Sequence, residues 1–147
     1  MILRSGLLLG LLWSSWLSAE MLVSDAWARE SVPGTNTSAL FATIENTERK
    51  ATQLVAVVVD GVDKAELHAH NEEGGMMRMR RVTGVSVAGR SSVTLAPGGY
   101  HVMLFQLRQP LKAGTELPVE FKFSNGEKVK AVARVLSPAD AMPHHNH

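Results

Sequence analysis

Hydrophobic and polar residues alternate along most of this chain, and short turn sequences interrupt the alternation at intervals. A period of two is the spacing of a β-strand that buries one face. Asn125-Gly126 stands between two such stretches and predicts a tight hairpin, because both turn positions require residues that tolerate a positive φ. The alternation predicts ten strands, at residues 22–29, 39–45, 53–59, 64–70, 77–81, 85–87, 92–95, 101–107, 117–123 and 129–135.

Many short strands without a long helical period predict an all-β fold, an antiparallel sandwich or barrel. The sequence contains no internal repeat and no linker long enough to divide it. We therefore expect one domain over residues 20–136. Residues 137–147 show no periodicity and are predicted to form a flexible tail that contains histidine and methionine.

Residues 1–19 have the pattern of a signal peptide, with Arg4 before an apolar stretch at 7–17 that is short for a membrane span. The prediction is export followed by cleavage, which leaves a protein without a membrane segment. An uncleaved membrane anchor is the alternative. The apolar stretch is not followed by a cysteine, so a lipid anchor at that position is not expected.

The charge and composition exclude several classes of function. The chain carries 15 basic and 14 acidic side chains, a net charge of +1, and only 5% aromatic residues, so neither a strong field nor a stacking surface for nucleic acid is present. The absence of cysteine removes thiolate catalysis and thiolate metal sites. No nucleophile elbow, phosphate-binding loop or His-Glu-x-x-His motif occurs, so we predict a protein that is not an enzyme.

Histidine and methionine are concentrated in two short segments, 68–79 and 101–103. Alternation along a strand places residues i and i+2 on one face, so His101 shares a face with Met103. The same holds for the His68 and His70 pair. Glycine-rich turns flank these strands, and residues beside turns often build the sites of a sandwich. The segments contain His68, His70, Met76, Met77, Met79, His101 and Met103.

A cluster of imidazoles and thioethers favours Cu(I), because thioether sulfur is a soft and neutral ligand. Zinc is disfavoured, since its protein ligands are cysteine, histidine and carboxylates. A blue-copper centre would need a cysteine thiolate. The alternatives are that Met103 fills the core, within the apolar stretch 102–105, and that the histidines are surface residues without a metal.

The sequence resembles the PCu(A)C family of periplasmic copper chaperones. That family has a histidine, ten further residues, a methionine, twenty-one further residues and then His-x-Met, and the chain matches this spacing at all four positions. Flanking segments are also similar: DAWAR at 25–29, ELHAH at 66–70, MRMR at 77–80 and PGGYHVML at 97–104. The resemblance spans residues 23–136. The four matched positions are His68, Met79, His101 and Met103.

The resemblance implies a cupredoxin-like Greek-key antiparallel β-sandwich with an exposed Cu(I) site formed by those four residues. It also implies a periplasmic location and delivery of copper towards the binuclear copper centre of cytochrome c oxidase, either to its copper subunit or through another copper chaperone. We expect the protein to be a monomer. His70, Met76 and Met77 lie outside the pattern and are predicted not to be ligands, with transient capture of copper as the alternative.

The tail contains His144, His145 and His147, and three imidazoles so close together suit Cu(II), which favours nitrogen donors. We therefore predict a secondary copper site there. Three other functions stay open: sequestration of copper for tolerance without a dedicated acceptor, a copper oxidase, and a purely structural sandwich.

Overall fold

A computed structural model describes residues 20–141 and contains ten strands, each of which the alternation predicts. The observed strand ends differ from the predicted ones by three residues or fewer, and the largest extension is at β4. The expected signal peptide and residues 142–147 of the tail, with their three histidines, lie outside the described residues. The strands are β1 (Met21–Arg29), β2 (Ser38–Asn46), β3 (Thr52–Val59), β4 (Val62–Glu73), β5 (Met76–Arg81), β6 (Val85–Val87), β7 (Ser91–Leu95), β8 (His101–Leu107), β9 (Glu116–Phe123) and β10 (Lys128–Leu136).

The strands form one continuous hydrogen-bonded sheet in the order β5-β4-β8-β2-β1-β10-β9-β3-β6. β7 pairs with the second half of β2, beside the segment of β2 that pairs with β8. β3 also packs against β4, although these two strands are not neighbours in the order. The sheet therefore folds back on itself as a sandwich. The ladders are antiparallel except for the parallel pair that joins β1 to β10.

The core lies between the two layers and is built from the inward side chains of nearly every strand. β3 alternates buried and exposed residues along most of its length, as the sequence predicts. β2 instead has four consecutive buried residues, at 39–42, because it is covered on both faces. The largest fully buried side chains include Met21, Leu40, Phe41, Ile44, Leu54, Leu95, Leu104 and Phe121.

Two features of this fold position the candidate site. The β4–β5 hairpin forms one edge of the sheet, and β8 lies on the other side of β4. Gly74 and Gly75 make the hairpin turn with φ values of 60° and 79°. Residues other than glycine, asparagine and aspartate rarely adopt this backbone conformation. No helix in the described part of the chain is long and apolar enough to cross a membrane.

Candidate metal centre

Strands β4, β5 and β8 gather the histidines and the methionines on one face of the sheet. Residues that lie directly opposite in an antiparallel ladder have their side chains on the same side. Alternation then adds every second residue of each strand to that face. The opposed pairs are His68 with His101, His70 with Met79, and Glu66 with Met103.

Both nitrogen atoms of the His101 ring lie close to another polar or sulfur atom. Its Nδ1 lies 2.9 Å from the carbonyl oxygen of Gly99, to which it donates, and its Nε2 lies 2.9 Å from Sδ of Met79. With the proton on Nδ1, a neutral ring presents the lone pair of Nε2 to the thioether sulfur. Two neutral electron-pair donors thus face one another, which is an arrangement that a soft cation between them would stabilise.

Burial keeps the imidazole of His101 neutral. The side chain is 4% exposed, and loss of hydration is the main cause that lowers its pKa below the ordinary value of 6.5. The hydrogen bond to Gly99 opposes this shift, while the nearby rings of His70 and His68 add to it. A neutral imidazole is the form that binds a metal ion.

His101 lies in a cleft of about 360 Å³ that opens to solvent. The segment that follows β1 forms one wall, the loop before β8 forms another, and the buried ring of Phe41 lies beneath, with its centroid 6.4 Å from that of His101. Three of the four predicted ligands line this cleft. The sulfur and imidazole side chains in its lining are His70, Met79, His101 and Met103.

His68, the fourth predicted ligand, does not line the cleft. Its Nε2 bonds Oε2 of Glu66 at 2.9 Å, and its ring centroid lies 5.9 Å from that of His101. Within residues 20–141, its Nδ1 is buried and has no hydrogen-bond partner. Metal-binding histidines usually donate the other ring N–H to a carboxylate or a carbonyl, so His68 has the arrangement of a ligand that would bind through Nδ1.

Glu66 is the carboxylate that bonds His68. Its hydrogen bond with His68 and its bond with Lys64, at 3.1 Å, lower the pKa of the carboxyl group below its usual value. Arg81 lies 3.8 Å away and contributes a weaker attraction. Glu66 is therefore ionised at neutral pH and can hold the Nε2 proton of His68.

His70 lies outside the predicted four-ligand pattern, yet it is part of the cleft lining. It lines the cleft beside Met79, and its ring centroid lies 5.0 Å from that of His101, closer than the ring of His68. The signal was present in the sequence, because a two-residue Gly74-Gly75 turn places His70 opposite Met79 by simple counting. The resemblance assigns the ligand position to His68 instead.

Met76 and Met77 do not line the cleft, and both side chains are 63% exposed. Met77 shares the face of Met79, whereas Met76 lies on the opposite face of the hairpin. In the described part of the chain, no three histidine, aspartate or glutamate side chains could hold a metal ion by themselves. A metal ion held in this cleft by three or more of the described side chains would take thioether sulfur among its ligands, which favours Cu(I).

Comparison with known sequences gives matches over most of the domain. A family profile with the description "Putative lipoprotein LpqE-like" matches residues 21–135. A protein of Leifsonia xyli subsp. xyli named "Putative lipoprotein Lxx21020" is 31% identical over 105 residues, which cover 71% of this chain and 62% of that protein. The chain spans less than two thirds of the length of the curated relatives that it matches.

Comparison with solved structures gives the same fold. A copper-bound PCuAC domain from PmoF2 matches with a TM-score of 0.69 at 20% identity and covers 82% of this chain and 97% of that domain. The solution structure of CuI-DR1885 from Deinococcus radiodurans matches with a TM-score of 0.66 at 25% identity and covers 82% of this chain and 80% of that one. These matches confirm the cupredoxin-like β-sandwich and the resemblance to the PCu(A)C family.

Proposed function

We propose that this chain, which belongs to the LpqE-like family, is an exported copper chaperone that binds Cu(I) and transfers it to an acceptor protein. The observation that carries the proposal is the contact between Nε2 of His101 and Sδ of Met79, at 2.9 Å in an open cleft. The copper-bound PCuAC domain and CuI-DR1885, which share this fold, support copper as the cargo.

The proposed ligands are His68, Met79, His101 and Met103, and the donor atoms of His101 and Met79 are close enough to share one ion. Metal–nitrogen and metal–sulfur bonds of about 2.0 and 2.3 Å place two donors of one ion within about 4.3 Å. The separation between His101 and Met79 satisfies this limit. Met103 lines the same cleft, and the unpartnered Nδ1 of His68 is the fourth donor.

Four neutral donors leave the bound Cu(I) with its single positive charge. Cu(I) would then be bound by neutral, polarisable ligands and not by anionic ones. Such binding suits an ion that is released to an acceptor. The open cleft gives an acceptor access to Met79, a residue that is 49% exposed. Transfer proceeds by exchange of thioether and imidazole ligands for those of the acceptor, and the copper stays Cu(I) throughout.

The lipoprotein names of the family profile and of the Leifsonia protein support export. We propose that the protein is a monomer in the periplasm. The proposed acceptor is the binuclear copper centre of cytochrome c oxidase, reached directly or through another copper chaperone. His144, His145 and His147 are proposed as a secondary Cu(II) site. These three residues lie outside the part of the chain that the structure describes.

The decisive experiment for binding is a Cu(I) titration under reducing conditions against a chromogenic chelator. We expect one tightly bound Cu(I) in the cleft, and its loss in the double variant with His101→Ala and Met79→Ala. Unchanged affinity in this variant would show that the site is wrong. For transfer, deletion of the gene is expected to impair oxidase assembly, whereas copper sensitivity with normal oxidase would indicate sequestration.

A further inference from the structure

His70 is the imidazole of β4 that lines the cleft. It lies two residues closer to the hairpin turn than His68 does, and directly opposite Met79, the half-exposed thioether. Its ring lies edge-on to that of His101, at a centroid distance of 5.0 Å. Among residues 20–141 its ring nitrogens make no hydrogen bond that would have to break before they bind an ion.

His68 differs from His70 in each of these respects. The side chain of His68 is 14% exposed, and it does not line the cleft. Its Nε2 is engaged with Glu66, and the other nitrogen is buried. An ion that enters the cleft therefore meets the lining residues His70, Met79 and His101, whereas His68 lies outside that lining.

We propose that His70 is a transient copper ligand through which Cu(I) enters and leaves the cleft. This inference rests on the proposed function, since it assumes Cu(I) as the cargo. On entry, a bond from copper to His70 forms as a bond to the donor molecule breaks. The bond to His70 is then replaced by one to Nδ1 of His68, while Met79 and His101 stay bound, and no electron is transferred.

A transient ligand changes the rates of Cu(I) capture and release, whereas a resident ligand also changes the Cu(I) affinity. A ligand that serves only as an intermediate lowers the barrier for capture and for release by the same factor, and it leaves the dissociation constant unchanged. A resident ligand behaves differently, because its removal weakens binding chiefly by making release faster. The two histidines of β4 are thus expected to give opposite kinetic signatures.

The test measures Cu(I) exchange with bathocuproine disulfonate by stopped flow, in both directions, together with the equilibrium affinity. The variants are His70→Gln and His68→Gln, in a full chain whose tail histidines are replaced by alanine so that they cannot bind copper. Asn71→Ala serves as the control, because Asn71 is the next residue of β4 and its side chain lies on the opposite face.

We expect His70→Gln to slow capture and release about tenfold each, with affinity within about threefold of the parent. His68→Gln is expected to weaken affinity and to speed release, and Asn71→Ala to change neither. Unchanged rates in His70→Gln would overturn the inference, as would faster release with weaker affinity, which is the signature of a resident ligand. Failure of the parent protein to retain Cu(I) would instead refute the proposed function itself.

Discussion

Nε2 of His101 lies 2.9 Å from Sδ of Met79, although 22 positions of the chain separate the two residues. Met79 lies on β5 and His101 lies on β8, and these two strands do not pair with each other. β4 lies between β5 and β8, and its ladders with both strands fix the distance. The site therefore depends on the register of two separate ladders, and a slip by one residue in either would move a ligand to the opposite face.

Replacement of Met79 by leucine tests the sulfur of this pair. The change keeps the side-chain volume, so we expect the free energy of unfolding to fall by less than about 1.5 kcal/mol. Loss of a residue that hydrogen-bonds to a metal ligand typically lowers metal affinity by about 10- to 100-fold. We expect loss of the ligand Met79 itself to lower Cu(I) affinity by at least as much. The measurement is competition with a Cu(I) chelator under reducing conditions.

Met76→Leu is the matched control for that experiment. Met76 is at least as exposed as Met79 and lies on the same strand, but it is on the other face of the hairpin. Its replacement should leave Cu(I) affinity unchanged. Equal losses in the two variants would mean that exposed methionines bind copper without regard to the cleft.

Glu66→Gln tests whether the carboxylate prepares His68 for copper. The variant keeps the shape of the side chain but removes the charge that strengthens its bond with His68. We expect Cu(I) affinity to fall by about tenfold, as for other residues that orient a metal ligand. Asp63→Asn is the control, because Asp63 also lies on β4 and pairs with Arg108 outside the cleft. An effect of Asp63→Asn as large as that of Glu66→Gln would assign the loss to charge alone.

The fold could be predicted largely because period-two alternation and glycine turns are local signals. The strand at 85–87 has the same ends in the sequence pattern and in the structure. The parallel pairing of Trp27 with Arg134 could not be predicted, because it joins the first and last strands and no short-range pattern encodes it. β2 also departs from alternation at 39–42, where burial on both faces replaces the usual polar positions.

The residue types and the spacing of the candidate site could be read from the sequence, but which of these side chains line the cleft could not. Met103 was open to interpretation as core filling, and the structure instead places it in the lining of the cleft. His70 and His68 look equivalent in sequence, since alternation puts them on one face. They are distinguished by the hydrogen bond to Glu66 and by distance from the hairpin turn, which depend on side-chain packing.

Phe41→Ala tests the support beneath the cleft. Phe41 is 1% exposed, and its ring lies 4.4 Å from that of Trp27 between centroids. Removal of a buried aromatic ring should lower the free energy of unfolding by about 3–5 kcal/mol, measured by urea denaturation without metal. Val58→Ala, at an exposed position of β3, should change it by less than about 0.5 kcal/mol. A loss below 1 kcal/mol in Phe41→Ala, on the order expected of a surface position, would show that the ring is not a core element.

The pH dependence of stability tests the burial of His101. Because folding lowers the pKa of this imidazole from 6.5, the unfolded chain binds its proton at a higher pH than the folded chain does. Protonation of His101 therefore does not lower the free energy of unfolding above pH 6.5. As the pH falls from there through the lowered pKa, the free energy of unfolding decreases by at most about 1.4 kcal/mol per pH unit. In His101→Gln, urea denaturation of the metal-free protein should show a smaller loss of stability over this range than the parent shows. Met76→Leu should follow the parent, and an equal pH dependence in His101→Gln would mean that folding does not hold this imidazole neutral.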